Sequence, residues 1–317
     1  MRGITSFTVV VPSYNEAATL RTNVNAIRAF LAERTLLDLP WSILIVDDSS
    51  CDRTPEIAAE LAREDERIRW IRRTSNGGVD AAIRSGVEAV ESDAIVVLDA
   101  DLSYPVEIIA SLLETLVREE ADIVAASAYA PGGRVRHVPR PRAMLSRWAN
   151  RFLAYAIHER VHTLTCIVRA YRTQCLRELL ASRPAGDVTH QLMLDALRLP
   201  LRVCEIPATL QWAPYRRSRM NVKAIAQRTY SVLAAALRER PSLALTIPAF
   251  IPGVLPLSIA LAVLAHGTPT EVAIVAGATF TVQTASLVVF GYHSTNFALR
   301  SLMMRRIAAR ETIRNSM

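Results

Sequence analysis

The sequence has few cysteines and no internal repeat. Its four cysteines, Cys51, Cys166, Cys175 and Cys204, form no Cys-x-x-Cys pair. This spacing indicates neither a zinc site nor a disulfide framework, and scattered thiols are typical of a reducing compartment. No period of 20–50 residues stands out, which argues against a solenoid or a propeller.

The sequence also lacks the features of a disordered basic tail. The chain of 317 residues has a net charge of +7, but 51% of its residues are hydrophobic, and that share allows a packed core. The length suffices for one α/β domain and something smaller. Because Phe7–Val11 already has the pattern of a strand, we expect no signal peptide.

Strand-like and helix-like segments alternate over residues 1–130. Apolar runs predict strands at Phe7–Val11, Ser42–Val46, in the run that begins at Ala94, and at Ile123–Ala126, and a short strand is predicted at Ile68–Ile71. Helical spacing predicts helices at Thr19–Arg34, Thr54–Arg63, Val79–Val90 and Val106–Arg118. The alternation predicts an α/β fold with a doubly wound, mostly parallel sheet.

Two acids follow directly on the most apolar of these strands. The sequence from Ala94 runs through Ile-Val-Val-Leu into Asp99 and Asp101. Side chains two residues apart in an extended chain point the same way, and two carboxylates can share Mg²⁺ or Mn²⁺. Ser103 could add a ligand directly or through water. The alternative is a solvated pair that caps the helix after Pro105.

Three further motifs follow the other strands in order. They are Val10–Glu16, with the sequence Val-Val-Pro-Ser-Tyr-Asn-Glu, then Ile45–Thr54, with Asp47-Asp48-Ser49-Ser50 at its centre, and Asn76-Gly77-Gly78. Together with Asp99-Ala100-Asp101, they resemble the family 2 glycosyltransferases with the GT-A fold. The order and spacing of four motifs carry this resemblance, because none of them is specific alone.

Within that family, the chain most resembles the polyprenyl-phosphate sugar transferases, such as the dolichyl-phosphate mannose synthases, over about residues 5–225. The additional cues are Asp101–Pro105, Pro131-Gly132-Gly133, Arg142 with Ser146, Arg169-Ala170-Tyr171, the strand Val203–Pro207, and Arg216 to Arg219. The resemblance implies a nucleotide-sugar donor and a polyprenyl phosphate acceptor. It also implies inversion at the anomeric carbon.

The resemblance assigns roles to individual residues. It implies that the donor is bound by Pro12, Tyr14, Glu16, Val46, Asp47, Asp48, Asn76, Gly77, Ala100 and Ser146. It implies that the chemistry is carried by Asp99 and Asp101, with Arg142, Arg169, Arg216 and Arg219 on the phosphates, where a planar guanidinium forks onto two oxygens. An alternative for Asp48 and Asp52 is that they cap the helix at Thr54.

The chain departs from the family pattern in two places. Ala128 stands where many members have arginine, and Arg134 or Arg136 could replace that cation. Thr163 and Ile167 stand where many members have Asp and Gly. We therefore expect an altered sugar pocket.

The C-terminal third of the sequence indicates a membrane anchor. Ser242–Ala265 and Val272–Tyr292 carry no charge and are each long enough to cross a hydrocarbon core of about 30 Å. Arginines flank the outer end of each span, which predicts that both termini are cytoplasmic. We therefore expect a cytoplasmic glycosyltransferase domain at 1–221, an amphipathic juxtamembrane helix at 222–240, two transmembrane helices within 241–293, and a basic tail at 294–317.

A basic helix near 140–157 is expected to lie in the membrane interface. Its arginines alternate with Leu145, Trp148, Phe152 and Tyr155, which share one helical face. The alternatives are a helix packed on the core with solvated arginines, or a nucleic-acid surface, although no nucleic-acid module is visible.

The predicted function is that of a membrane-bound inverting glycosyltransferase at the cytoplasmic face of the cell membrane. It would move a sugar from a GDP-mannose or UDP-glucose type of donor to dolichyl, undecaprenyl or decaprenyl phosphate, with Mg²⁺ or Mn²⁺. Its other partners would be the bilayer and, as an open possibility, a second copy of the chain, but not nucleic acid. The alternatives are a non-catalytic membrane scaffold that kept the GT-A fold and a transferase for another lipid acceptor. A processive polysaccharide synthase is disfavoured, because Gln174 and Arg177 are followed by Glu178 rather than tryptophan and only two spans are expected.

Overall fold

The computed structural model describes residues 3–33, 39–157, 161–181 and 189–211. All of them lie in the first of two compact units, Met1–Val232. The predicted segment 222–240, both predicted spans, the tail 294–317, and Arg216 and Arg219 fall outside the described residues. Within the described ranges, no helix is long and apolar enough to cross a membrane.

A seven-stranded sheet with the order β3-β2-β1-β4-β7-β5-β8 forms the centre of this unit. Its strands are β1 (Phe7–Ser13), β2 (Trp41–Asp47), β3 (Ile68–Arg72), β4 (Ala94–Val97), β5 (Ile123–Ser127), β7 (Arg169–Arg172) and β8 (Val203–Pro207). All neighbouring pairs are parallel except those of β7, which runs antiparallel to both β4 and β5. The predicted α/β fold with a mostly parallel sheet is confirmed.

Seven helices connect or flank the strands in the described part of the chain. They are α1 (Leu20–Glu33), α2 (Thr54–Glu64), α3 (Gly78–Glu88), α4 (Ile108–Arg118), α5 (Arg140–Ile157), α6 (Thr173–Ala181) and α7 (Thr189–Arg198). In α1 the apolar residues recur at helical spacing, and four of them are buried: Leu20, Val24, Ile27 and Leu31. The four helices predicted between the first five strands are confirmed, with shifts of one or two residues at their ends.

Alternate residues of the central strands serve the two faces of the sheet, as strand geometry requires. Val9 and Val11 belong to the core that also contains buried residues of α1, α2 and α4. Val10 faces the other way, towards α3. A methyl group at Gly86 would lie 2.7 Å from Cγ1 of Val10 and 3.1 Å from Cγ2 of Val46. The glycine therefore lets α3 approach β1 and β2 closely.

A second, two-stranded parallel ribbon joins β6 (Arg134–Arg136) to β9 (Thr209–Gln211). The backbone N–H of Gln211 donates to the carbonyl of Ser103 at 2.8 Å. The ribbon is thereby attached to the loop that carries Asp99 and Asp101.

Candidate active site

The site lies where the strand order of the sheet reverses. β1 sits between β2 and β4, so the loops that follow these strands diverge and leave a crevice at their carboxyl ends, which is where open α/β sheets bind ligands. All four predicted motifs lie at this edge.

Three non-glycine residues in these loops have a left-handed backbone. The φ angles are 54° at Asn15, 60° at Ser49 and 50° at Leu102, which follow β1, β2 and β4. Leucine is rare in this region because its Cβ crowds the backbone. Strained backbone of this kind concentrates at ligand sites, where surrounding contacts hold it in place. The strain thus marks the same three loops as the motifs do.

Ser103 holds the two carboxylates of the Asp-x-Asp motif. Its Oγ donates to Oδ2 of Asp99 at 2.9 Å, and its backbone N–H donates to Oδ1 of Asp101 at 2.9 Å. The alternative that these acids cap the next helix is wrong, because α4 begins at Ile108 and its N-cap, Glu107, makes no side-chain capping bond. The acids instead form a tight local turn with Ser103.

This turn has the donor chemistry of a divalent-metal site. It presents carboxylate and hydroxyl oxygens, which are the ligands that Mg²⁺ and Mn²⁺ prefer. No cluster of three or more His, Cys, Asp or Glu side chains that could hold a metal occurs in the described ranges. A hard cation with only two protein carboxylates would complete its shell with waters and phosphate oxygens. The residues present fit such an ion.

A partly buried thiol, that of Cys166, lies next to the turn. Burial raises the pKa of the Cys166 thiol to about 11; the charge of Asp99 adds to the rise, while a hydrogen bond with Tyr104 and the cation of Arg169 oppose it. Burial likewise raises the pKa of Tyr104. Cys166 therefore stays a neutral thiol at physiological pH and is not an activated nucleophile.

Arg169 is buried at the start of β7, with 1% of its surface exposed. It pairs with Val97 of β4, so it lies level with the end of the strand that precedes Asp99. Its Nη2 donates to the carbonyl of Leu164 at 2.7 Å, and its Nη1 donates to the hydroxyl of Tyr171 at 3.4 Å. Its guanidinium is thus fixed by the protein, and its role towards a phosphate stays a prediction.

The acids after β2 are each paired with an arginine from β3 or the loop after it. Oδ2 of Asp47 lies 3.2 Å from Nε of Arg72. Asp48 forms an ion pair with Arg73 and accepts the backbone N–H groups of Gly77 at 3.1 Å and Gly78 at 2.7 Å. The alternative that Asp48 caps α2 is wrong, because its carboxylate serves the start of α3.

Asp52 bonds the first residue of α2, although the N-cap of this helix is Arg53, whose side chain makes no capping bond. Oδ1 of Asp52 accepts the N–H of Thr54, the first residue of α2, at 3.0 Å. Its Oδ2 accepts the N–H of Ala17 at 3.2 Å. Asn15 completes the link between the two loops, since its N–H donates to Ser50 Oγ at 2.8 Å and its Oδ1 accepts the N–H of Cys51 at 2.9 Å. The loops after β1 and β2 therefore form one rigid wall.

The other predicted donor residues lie on this wall or beside it. Pro12 and Val46 are neighbours in the β1–β2 register and are both buried. Tyr14 is 41% exposed. Glu16 accepts the hydroxyl of Thr19 at 3.2 Å, and the carbonyl of Ala100 accepts Nδ2 of Asn23 at 2.8 Å. Asn76 and Gly77 are exposed in front of α3.

The predicted basic residues are spread over two elements. Arg142 and Ser146 lie in α5; the side chain of Arg142 is outside what the structure describes, and Ser146 is partly buried. Arg134 and Arg136 are exposed on β6. On α5, Trp148 is 65% exposed, and the guanidinium of Arg147 lies 5.4 Å from the ring centre of Tyr129.

Of the three residues that depart from the family pattern, Ala128 and Thr163 are buried and uncharged. Ala128 is 4% exposed. The hydroxyl of Thr163 lies 2.6 Å from that of Ser127, and Glu205 accepts the N–H of Thr163 at 2.7 Å. Ile167 packs against the core. None of the three supplies a charge at the edge of the sheet.

Sequence reasoning missed several polar residues at the site. Arg72 ends β3 and Arg73 follows it, and their position at a strand end beside the Asp47-Asp48 pair was the available signal. Asn23 and Asn150 gave no signal, because each lies inside a helix and meets a loop that is remote in sequence.

Comparison with known proteins gives consistent results. The model of the family described as "Glycosyl transferase family 2" matches residues 8–180. Polyprenol monophosphomannose synthase of Mycolicibacterium smegmatis is 30% identical over 239 residues, which are 73% of this chain and 87% of that protein. Undecaprenyl-phosphate mannosyltransferase of Micrococcus luteus is 28% identical over 73% of this chain and 94% of that protein.

Other similarities cover a smaller part of the related protein or show the fold alone. Dolichol-phosphate mannosyltransferase of Pyrococcus furiosus is 36% identical, but the match spans only 44% of this chain and 38% of that protein. Glucosyl-3-phosphoglycerate synthase from Mycobacterium tuberculosis, solved with UDP, superposes with a TM-score of 0.55 at 20% identity, over 74% of this chain and 80% of that one. The same enzyme was also solved with UDP and Mn²⁺.

Proposed function

This chain belongs to glycosyl transferase family 2, and we propose that it transfers a sugar from a nucleoside-diphosphate sugar to polyprenyl phosphate. The observation that carries the proposal is the Asp-x-Asp turn at the point where the strand order reverses. The acceptor is proposed because two relatives that match over most of their own length are named for polyprenol and undecaprenyl-phosphate substrates.

The donor is proposed to lie against the wall formed by the loops after β1 and β2. Tyr14, exposed on this wall, offers a ring and a hydroxyl to a nucleoside of the GDP-mannose or UDP-glucose type. Asp99 and Asp101, with Ser103, would hold Mg²⁺ or Mn²⁺ near the diphosphate. When bound, such an ion neutralises the charge that develops on the leaving diphosphate.

The acceptor needs little activation by the protein. A phosphate oxygen is already an anion, so no general base has to remove a proton from it. Catalysis then rests on positioning and on charge stabilisation. Arg142, Arg169, Arg216 and Arg219 are proposed to bind phosphates, and direct displacement would invert the anomeric carbon. The neutral thiol of Cys166 takes no part as a nucleophile.

The proposed place of work is the cytoplasmic face of the cell membrane. The exposed Trp148 and Met144 on α5, 65% and 62% exposed, together with neighbouring arginines, suit contact with a lipid headgroup layer. The two uncharged segments within 241–293 would anchor the chain.

The test is a panel of radiolabelled nucleotide sugars incubated with membranes that contain the full chain. We expect one or two donors to label a lipid that partitions into organic solvent, and no labelling with Asp101→Asn. Absence of any lipid-linked product with every donor would contradict the proposal and favour a non-catalytic scaffold. A labelled lipid that is not a polyprenyl phosphate would favour another lipid acceptor.

A further inference from the structure

One asparagine joins two segments that each carry an arginine proposed to bind phosphate: α5, with Arg142, and the start of β7, with Arg169. Asn150 lies on α5 and is 1% exposed. Arg142 and Ser146 precede it by eight and four residues, so the three positions fall on one stripe of the helix. On the opposite side of Asn150 is the segment 161–168, which leads into Arg169.

The amide of Asn150 is fully engaged. Its Oδ1 accepts the backbone N–H of Leu164 at 2.7 Å and that of Thr165 at 3.2 Å. Its Nδ2 donates to the carbonyl of Ser146 at 2.9 Å and to the hydroxyl of Thr165 at 3.1 Å. A primary amide can accept and donate two bonds each way, so the side chain ties the helix backbone at Ser146 to the next segment.

The second half of the link runs through Leu164. Its N–H is bound by Asn150, and its carbonyl accepts Nη2 of Arg169 at 2.7 Å. Leu164 is fully buried, as is Arg169. The position of the guanidinium therefore depends on a peptide segment that Asn150 holds against α5.

We propose that Asn150 is a positioning residue that sets the distance between the part of α5 that carries Arg142 and the guanidinium of Arg169. The inference rests on the proposed function, in which Arg142 and Arg169 bind phosphates, and it assigns both arginines to the phosphate of the acceptor. A bidentate contact to a phosphate tolerates little displacement, because both oxygens must stay in line with the fork. Misplacing an enzyme group by about 1 Å can cost 100-fold in rate.

A purely structural asparagine would behave differently, and the chain offers a matched control. Thr8 is also 1% exposed, and its hydroxyl lies 2.9 Å from Ser42 Oγ and 2.8 Å from Ser92 Oγ. It lies at the amino end of β1, away from the carboxyl edge. Thr8→Val should lower Tm without changing substrate KM, whereas Asn150→Ala should act on the acceptor.

The experiment is a double-mutant cycle on the full-length enzyme, with Asn150→Ala, Arg169→Lys and the pair. Initial rates against the polyprenyl phosphate acceptor give KM and kcat, and calorimetry gives nucleotide affinity. We expect Asn150→Ala to raise the acceptor KM about tenfold, because it removes the hydrogen bonds that hold the peptide segment to which Arg169 is bound. The nucleotide affinity should stay within about twofold of the wild-type value. In the Arg169→Lys background the further rise should be small, because coupled sites are not additive.

A second variant keeps the test decisive if Asn150→Ala does not fold. Thr165→Val retains the backbone N–H that donates to Asn150 and removes only the hydroxyl, which lies 3.1 Å from Nδ2 and 3.3 Å from Oδ1 of Asn150. One neutral hydrogen bond corresponds to about a twofold to tenfold rise in the acceptor KM. An unchanged KM in this variant would overturn the proposal.

Two other results would also overturn it. The first is the same KM increase for Asn150→Ala in both backgrounds, and the second is an equal loss of nucleotide and acceptor binding. The proposed function fails separately, if the wild-type enzyme uses an acceptor without a phosphate. The double-mutant cycle is then measured with the KM of that acceptor. Additive effects of Asn150→Ala and Arg169→Lys on this KM would still contradict the role of Asn150.

Discussion

At the scale of single residues, the account depends most on Asp101. Asp101→Asn removes one negative charge from the Asp-x-Asp turn but keeps an oxygen for the N–H of Ser103. We expect the variant to fold with a Tm close to wild type and to lose metal-dependent nucleotide binding, because a neutral amide is a poor ligand for a hard cation. Calorimetric titration with nucleoside diphosphate, with and without Mn²⁺, measures this.

The matched control for Asp101→Asn is Asp93→Asn at the other end of the same strand. Asp93 accepts the hydroxyl of Thr5 at 2.5 Å and the N–H of Thr5 at 2.8 Å, and these bonds lower its pKa. This variant should lose some stability and keep full nucleotide binding. Equal binding by wild type and Asp101→Asn would remove the metal role from Asp101.

The cysteines make a second prediction at this scale. Burial raises the pKa of Cys166 from 9.0 to about 11 and that of Cys175 to about 12, whereas Cys51 is exposed. Since the thiolate is the reactive form, alkylation of the native protein at pH 8 should label Cys51 well before Cys166 or Cys175. Mass spectrometry of a time course reads this directly.

The raised pKa of these thiols also predicts how the free energy of unfolding depends on pH. An unfolded cysteine ionises near 9 while the folded Cys166 keeps its proton until about 11. The unfolded state thus binds fewer protons in this interval, and the free energy of unfolding should fall as the pH rises through it. Rapid labelling of Cys166 in the native protein would contradict the burial on which this pH dependence rests.

At the scale of elements, residues with a left-handed backbone lie both inside and outside the candidate site, and substitutions to glycine should affect the two kinds of position differently. Glu120 has a φ of 48° after α4, in a turn where Ala121 donates to Leu116 and Glu120 donates to Val117. Glycine is the usual residue at this position. We expect Glu120→Gly to stabilise the domain by about 1 kcal/mol, because relief of about 1–2 kcal/mol exceeds the added chain entropy.

Leu102→Gly is the counterpart inside the Asp-x-Asp turn. It relieves similar strain but removes a side chain that packs against the core, so we expect transfer to fall. Glu120→Gly should raise Tm by about 2–4 °C for a domain of this size and leave transfer unchanged. A lower Tm for Glu120→Gly would show that its backbone is not strained.

The elements also show what the sequence could and could not predict. β1, β2, β4 and β5 contain continuous apolar runs, so these strands and the site at their carboxyl ends could be predicted from local pattern. β7 has the sequence Arg-Ala-Tyr-Arg, which has no apolar run, and its antiparallel place between β4 and β5 depends on long-range pairing. β6 and β9 have three residues each, too few for any period.

The same limit applies to the site. Asp99 and Asp101 could be predicted because they are adjacent in sequence to their strand. The partners of Asp48 come from the loop between β3 and α3 and are 25 to 30 residues away. The link from Asn150 to Leu164 joins a helix to a loop of irregular structure. Contacts of this kind depend on the packed fold, and no local spacing encodes them.

At the scale of the whole molecule, the prediction to test is that two segments within 241–293 span the membrane and that both termini are cytoplasmic. Reporter fusions after Arg240 and after Arg310 should both report cytoplasm, and one at Gly267 should report the opposite side. The physical reason is the arginine-rich flank at each outer end of the two uncharged segments. A cytoplasmic signal from the fusion at Gly267 would mean that the pair does not span the bilayer.

The central claim is that the sugar acceptor is a lipid phosphate. The most direct measurement is the initial rate of radiolabelled sugar transfer by the purified full-length enzyme, with Mn²⁺, to polyprenyl phosphate and to the matching polyprenol without phosphate. The account predicts an organic-soluble product from polyprenyl phosphate at a rate at least about 100-fold above that from polyprenol, because only the phosphate offers an anionic oxygen and a partner for the arginines. Equal rates with both lipids, or transfer to neither, would contradict it.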